Sequence, residues 1–278
     1  MAPRNWSRRL QALGISPRGD PMPLSGGDIA AVWALDTDRG RVVVKRDDAS
    51  RLAGEAEGLR ALQAAASSLI VPEVLGIDDD LLVMQALEPV SGGRQADRKL
   101  GEGLRQLHEA RGETHGWEVD NACGPTPQDN TPCDDGRVFQ RERRLLPLGR
   151  ACAEKGLLDT ATLEALTRVA EELETWLPNV RPSLVHGDLW SGNVLHTARG
   201  PAIIDPAVYR HYPEVDLAML TLFGSPSAAF FEAYWDGDSP EDWPRRRTLF
   251  QLYPLLNHLL LFGGGYRGAV ERAIDDLR

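Results

Sequence analysis

The chain has 278 residues, 42% hydrophobic and 26% charged, with 31 Lys and Arg against 41 Asp and Glu, a formal net charge of −10. That composition suits a globular protein with a full core, and its acidity excludes the clustered basic face of a nucleic-acid binder. No apolar run is long enough to span a bilayer, and Met1–Trp6 lacks a signal-peptide stretch, so a cytoplasmic protein with no membrane partner is expected.

Trp6, Leu10 and Leu13 lie at helical spacing and predict a helix over 4–13. Ser25-Gly26-Gly27-Asp28 follows as a turn before a strand. Paired glycines let backbone N–H groups approach phosphates closely, so Gly26 and Gly27 are candidate nucleotide contacts. Ile29–Leu35 and Arg41–Arg46 read as a hairpin about Asp36–Gly40, Ala49–Ala66 as a helix, Val71–Gly76 as an edge strand and Leu81–Leu87 as an apolar strand. This β-β-α-β-β order suits a small antiparallel-sheet lobe with one main helix over 1–88, followed by a linker at Glu88–Gly93.

The rest, 89–278, is mainly helical. Helices are expected over Lys99–Ala110, Val138–Lys155, Thr160–Trp176, Glu214–Phe223, Pro226–Tyr234, Arg245–Phe262 and Arg267–Leu277. The fold class is therefore α+β and bilobal. Residues 111–137 form the longest irregular stretch, and long loops in compact domains are usually functional or disordered. The three cysteines, Cys123, Cys133 and Cys152, form no Cys-x-x-Cys and read as reduced thiols.

The segment 184–206 interrupts the helices and carries the chemistry. In His186-Gly-Asp188-Leu-Trp190-Ser-Gly-Asn193, an Asp stands five positions before an Asn, and Ile203-Ile204-Asp205 follows. Protein kinases place a base, a metal-binding Asn and a metal-binding Asp in this order. Asp188 is the candidate base. Asn193 and Asp205 are candidate Mg²⁺ ligands, since Mg²⁺ takes hard oxygen donors. Short strands at Val194-Leu195 and Ala202–Ile204, turning at Thr197–Pro201, would bring Asn193 and Asp205 to one end.

The small lobe offers matching nucleotide groups. Lys45 ends the apolar run Val42-Val43-Val44, as the phosphate-holding lysine does in kinases. Glu55 and Glu57 are its candidate partners and point different ways on their helix. Gln85, Ala86 and Leu87 would meet adenine through the backbone. Asp216 and His186 are expected to brace the catalytic loop, and His108 to be a hydrogen-bonded core residue. Trp190 offers a flat wall beside the base. Asn257 and His258, late in an apolar helix, are candidate hydrogen-bonding groups for an acceptor.

These residues, with Gly54-Glu55-Ala-Glu-Gly-Leu59, Gly124-Pro-Thr-Pro-Gln128-Asp-Asn130, Glu142-Arg-Arg-Leu145 and Leu252–His258, span nearly the whole chain. The chain resembles the fructosamine kinase (ketosamine-3-kinase) family, within the protein-kinase-like fold of aminoglycoside phosphotransferases and choline kinases. The resemblance implies ATP-dependent phosphorylation, with Mg²⁺, of the 3-hydroxyl of a ketoamine. The acceptor would be a small molecule or a glycated lysine on protein, in the service of deglycation. It also implies Lys45–Glu55 as the phosphate-holding pair and Trp190, Gln128 and Asn130 as substrate residues; a monomer or weak dimer is expected. The chain departs from the family pattern at Asp28, where many relatives carry Cys, and at Thr131–Arg137, which lacks tryptophan. An aminoglycoside- or choline-type kinase and a non-catalytic nucleotide-binding pseudokinase are the alternatives.

Overall fold

The computed structural model describes residues 6–24, 30–66 and 68–278. The Gly26–Gly27 loop lies outside them. The first part of the chain comprises α1 (Trp6–Ala12), β1 (Met22–Pro23), β2 (Ala31–Thr37), β3 (Gly40–Arg46), α2 (Ala49–Ala65), β4 (Val74–Asp78) and β5 (Leu81–Gln85). The strands form one antiparallel sheet in the order β1-β2-β3-β5-β4.

Strand alternation sorts the side chains between the two faces. Val42, Val44, Leu81 and Val83 pack outward against Trp6 and Leu10 of α1. Leu82 and Met84 join the core that contains Leu52, Ala56, Leu59 and Leu62 of α2, with Val43 packed against it. Lys45 follows Val43 by two positions and so shares that inner face. The edge strand begins at Val74 rather than Val71, because Pro72 cannot donate to a ladder. Asp48 caps α2 through Ser50 N and Arg51 N.

After a stretch without regular structure come α3 (Arg94–Leu107), β6 (Asn121–Cys123), β7 (Thr126–Gln128), α4 (Gly136–Phe139), a π-helical segment (Gln140–Leu145) and α5 (Leu146–Glu154). Then follow α6 (Thr160–Glu171), α7 (Leu173–Trp176), β8 (Ser183–Val185), β9 (Val194–Thr197), β10 (Gly200–Ile203), β11 (Tyr209–His211), α8 (Glu214–Leu220), α9 (Ala228–Trp235), α10 (Trp243–Phe262) and α11 (Arg267–Leu277). The molecule is the expected α+β arrangement of a small antiparallel sheet and a larger helical part. Among the described residues no helix is long and apolar enough to cross a membrane.

Three differences from the sequence reading have physical causes. The helix expected over 138–155 widens into π turns, where Pro147 has no N–H to return to the Arg143 carbonyl. That carbonyl accepts from the Arg144 guanidinium instead, at 3.1 Å. The helix expected over 160–176 divides at Glu172. The 111–137 stretch is ordered by the β6–β7 hairpin and by bridges from His115 to Cys133 and from Gly116 to Arg210.

Candidate active site

Two short ladders frame the candidate catalytic loop. β8 pairs with β11, through Val185–Tyr209 and Ser183–His211. β9 pairs with β10, through Val194–Ile203. Residues 186–193 therefore leave the end of β8 and re-enter at β9, while Asp205 follows β10. The sequence reading found the β9–β10 hairpin and missed β8 and β11, which are only three residues each.

Asp216 fixes the start of the loop from a fully buried position in the first turn of α8. Its carboxylate accepts from His186 N at 2.7 Å and Gly187 N at 2.9 Å, and His108 Nε2 lies 3.1 Å away. His108 Nδ1 meets the Tyr234 hydroxyl at 2.7 Å. His186 Nε2 donates to Ile204 O at 2.9 Å, tying the loop to the strand that leads to Asp205. Burial lowers the His186 pKa, which keeps the ring neutral and suits a brace rather than a proton carrier. Gly187 has φ +82°, and a Cβ there would lie 2.0 Å from Ala207 O, so the loop requires glycine.

Asp188, Asn193, Asp205, Lys45 and Glu55 line one cleft of about 890 Å³. Burial, reinforced by the Asp205 charge, pushes the Asp188 carboxyl up to about 7. The Cys123 thiol opposes the shift by hydrogen bonding to the carboxylate. Asn193 Nδ2 donates to Asp188 O at 2.8 Å, which leaves its carbonyl oxygen as an acceptor. Asp205 has φ +55°, an uncommon conformation outside glycine and one that collects at functional sites.

Lys45 Nζ lies 2.7 Å from Glu55 Oε2 and 3.3 Å from Asp205 Oδ1. Burial works against the lysine charge, but the two carboxylates outweigh it and raise the pKa. Burial pushes Glu55 up to about 7, with Lys45 opposing. The 2.7 Å contact marks Glu55 as the lysine's partner. Glu57 instead accepts from Trp117 Nε1 at 2.9 Å.

The remaining sequence candidates separate. Leu87 lines the cleft, together with Met84. Gln85 and Ala86 do not, and their N–H groups already donate to Glu73 O and Arg41 O. Trp190 lines the cleft and is 38% exposed. Its indole lies over Gly192, where a Cβ would stand 2.3 Å from the ring. His258 also lines the cleft. Asn257 reaches its wall but is spent on structure, with Thr126 Oγ1 at 2.5 Å and Cys123 O at 3.4 Å.

Gln128 and Asn130 are corrected as direct substrate contacts. Both are buried behind the cleft wall. Gln128 donates to the Tyr253 hydroxyl at 2.8 Å, and Asn130 holds Asn121 Oδ1 and the Arg144 guanidinium. A buried amide needs partners, and these partners position the β6–β7 hairpin that presents Cys123. The sequence reading also missed Cys123, Phe223, Phe262 and Tyr266, which line the same cleft as Asp188. Cys123 has a weak signal in preceding the turn glycine, Gly124. The aromatics come from separate elements and have none.

Comparison with known proteins agrees with this geometry. The fructosamine kinase family model matches residues 14–278. A "Probable ketoamine kinase" of Thermus thermophilus is 36% identical over 271 residues, covering 96% of this chain and 97% of that one. Another from Synechocystis is 36% identical, covering 90% of this chain and 88% of that one. The crystal structure of a "putative fructosamine-3-kinase" from Thermobifida fusca superposes with a TM-score of 0.91 at 31% identity, covering 98% of both chains. An aminoglycoside phosphotransferase solved with AMP-PNP and hygromycin B shares the fold, at a TM-score of 0.70 and 17% identity, covering 99% of this chain and 98% of that one. The chain belongs to the fructosamine kinase family and is an ATP-dependent phosphotransferase.

Proposed function

We propose that the enzyme phosphorylates the 3-hydroxyl of ketoamines and serves to reverse glycation of amines in the cytoplasm. The observation that carries this reading is the placement of Trp190 as an exposed wall in the same cleft as Asp188, within a chain of the fructosamine kinase family.

The donor set fits Mg²⁺. Asn193 offers a carbonyl oxygen oriented by its own hydrogen bond, and Asp205 a carboxylate. Among the described residues no three His, Cys, Asp or Glu side chains cluster to hold a metal. Mg²⁺ bound to a nucleotide needs no such cluster, because phosphates and water complete its shell. When bound, Mg²⁺ would neutralise charge on the phosphates.

Lys45, held by Glu55, aligns the α- and β-phosphates. Asp188 accepts the proton as the O3–H bond breaks, O3 bonds to the γ-phosphorus and the bridging P–O bond opens to release ADP. An elevated carboxylate pKa near the working pH favours that transfer. Leu87 and Met84 support an adenine position by lining the small-lobe wall.

The test is ADP release with a panel of ribulosamine, erythrulosamine, fructosamine, kanamycin and choline. Turnover of ketoamines is expected, with the short-chain sugars at least as good as fructosamine. Turnover of kanamycin or choline with no ketoamine active would overturn the acceptor assignment.

A further inference from the structure

The outer end of the cleft has a chemical character of its own. His258 is ringed by Phe223 at 4.9 Å, Tyr266 at 5.2 Å and Phe262 at 5.4 Å between ring centroids. All four residues line the cleft, with Met219 and Leu261 between them. None of these six bears a carboxylate. Phe223 is 42% exposed and Phe262 52% exposed. Large aromatic rings left this open beside a catalytic base are not explained by core packing.

His258 has a fixed polarity. Its Nδ1 lies 2.6 Å from Pro254 O. A carbonyl only accepts, so Nδ1 carries the proton. Burial lowers the ring's pKa, only partly offset by the Pro254 carbonyl, and no charged group contributes. The neutral imidazole therefore holds a lone pair on Nε2, for which the described residues supply no partner. It is an acceptor in an otherwise apolar box.

This end is joined to the base. Cys123 lines the cleft with Asp188, Asn257 holds Cys123 O, and His258 is the next residue on α10. In a ketoamine the nitrogen lies a short chain of atoms from the reacting hydroxyl, and near pH 7 that secondary amine is a cation with N–H donors. A lone-pair acceptor among aromatic faces matches it, because ring faces attract cations within about 6 Å.

We propose that His258, Phe223, Phe262 and Tyr266 form the subsite for the acceptor's protonated amine, with His258 Nε2 accepting a hydrogen bond from its N–H. This rests on the ketoamine reading and specifies what that cleft selects. It assigns His258 to the amine nitrogen rather than to the sugar hydroxyls.

The experiment compares a 1-deoxy-1-(methylamino)ketose with the same ketose as its 1-O-methyl ether, which is near-isosteric but neutral and without the N–H donor. The wild-type kcat/KM ratio of amine to ether is expected to be about 30-fold or more. His258→Leu removes the acceptor, and the ratio should fall to within about threefold. Phe262→Leu keeps an apolar group at an exposed position but removes the π face, and the ratio should fall by about fivefold. Equal turnover of amine and ether by the wild type, or an unchanged ratio in both variants, overturns the amine subsite while the ketoamine kinase reading stands. Absence of turnover with every ketoamine would instead overturn that reading, and the subsite with it.

Discussion

Replacing Asp188 by Asn should stabilise the protein while disabling it. The carboxyl has its pKa raised from 3.8 to about 7, chiefly by burial. Each pKa unit corresponds to about 1.4 kcal/mol. Ionised Asp188 therefore costs the fold up to roughly 4 kcal/mol at pH 8, relative to a neutral side chain. The residue opens partly on the cleft, and solvent screening reduces this to about 2 kcal/mol. Because the folded pKa lies above the unfolded one, the folded state keeps a proton that the unfolded state releases between about pH 4 and 7. The stability linked to that proton is fully present below pH 4 and is lost as pH rises through 7. The Asn side chain never ionises, so the variant's advantage should be small at pH 4, grow through that window and level off above it. Urea unfolding of both proteins at pH 5 and pH 8 measures this, and turnover should fall about 10²–10⁴-fold with ATP binding retained. A variant less stable than wild type at pH 8, or one whose gain is the same at both pH values, would refute the argument that burial sets this carboxylate's proton affinity.

Glu55→Gln should raise KM for ATP and lower kcat, together about tenfold in kcat/KM, because Lys45 loses the nearer of its two carboxylate partners. Glu57→Gln should stay near wild type in the same assay, and a larger loss at Glu57 would overturn the pairing. Asp216→Asn turns one of two accepting oxygens into a donor facing a backbone N–H, at a cost of about 1–3 kcal/mol. Its kcat should fall more than its KM rises, and an unchanged kcat would remove Asp216 from loop positioning. Cys123→Ala removes the thiol hydrogen bond that holds the Asp188 pKa down. The acid limb of its kcat/KM profile should move to higher pH, and a limb that stays put or moves down would contradict that contact.

The parts legible in the sequence are those governed by short-range rules. The run Val42–Lys45 has a period-two reading, and the sheet places Val42 and Val44 against α1 with Lys45 on the opposite face. The five-residue spacing from Asp188 to Asn193 fixes a single turn closed by Asn193 Nδ2 on Asp188 O. That loop could be recognised before its surroundings were known. Glu55 and Glu57 show where local rules stop. Helical geometry says they diverge, but which one meets Lys45 depends on how α2 packs on the sheet, and that choice is made by contacts distant in sequence.

Gln128 and Asn130 lie off the cleft, and Asn257, which lines it, is committed to structural hydrogen bonds, for one shared reason. An amide in a loop or helix looks like a ligand for hydroxyls, because nothing local satisfies it. In the folded chain, partners more than a hundred residues away engage the Gln128 Nε2 and the Asn257 amide, and the buried Arg144 reaches Asn130. The Arg144 guanidinium is held by Asp129 O, Arg143 O and Asn130 Oδ1, with the faces of Phe139 and Tyr209 at 4.6 and 4.3 Å. A buried cation bound this way is costly to leave unpaired, so Asn130 acts by anchoring Arg144 and the hairpin above it. Residues that shape the cleft from behind can thus mark the family's motifs as strongly as those that touch substrate, and only the tertiary structure separates the two.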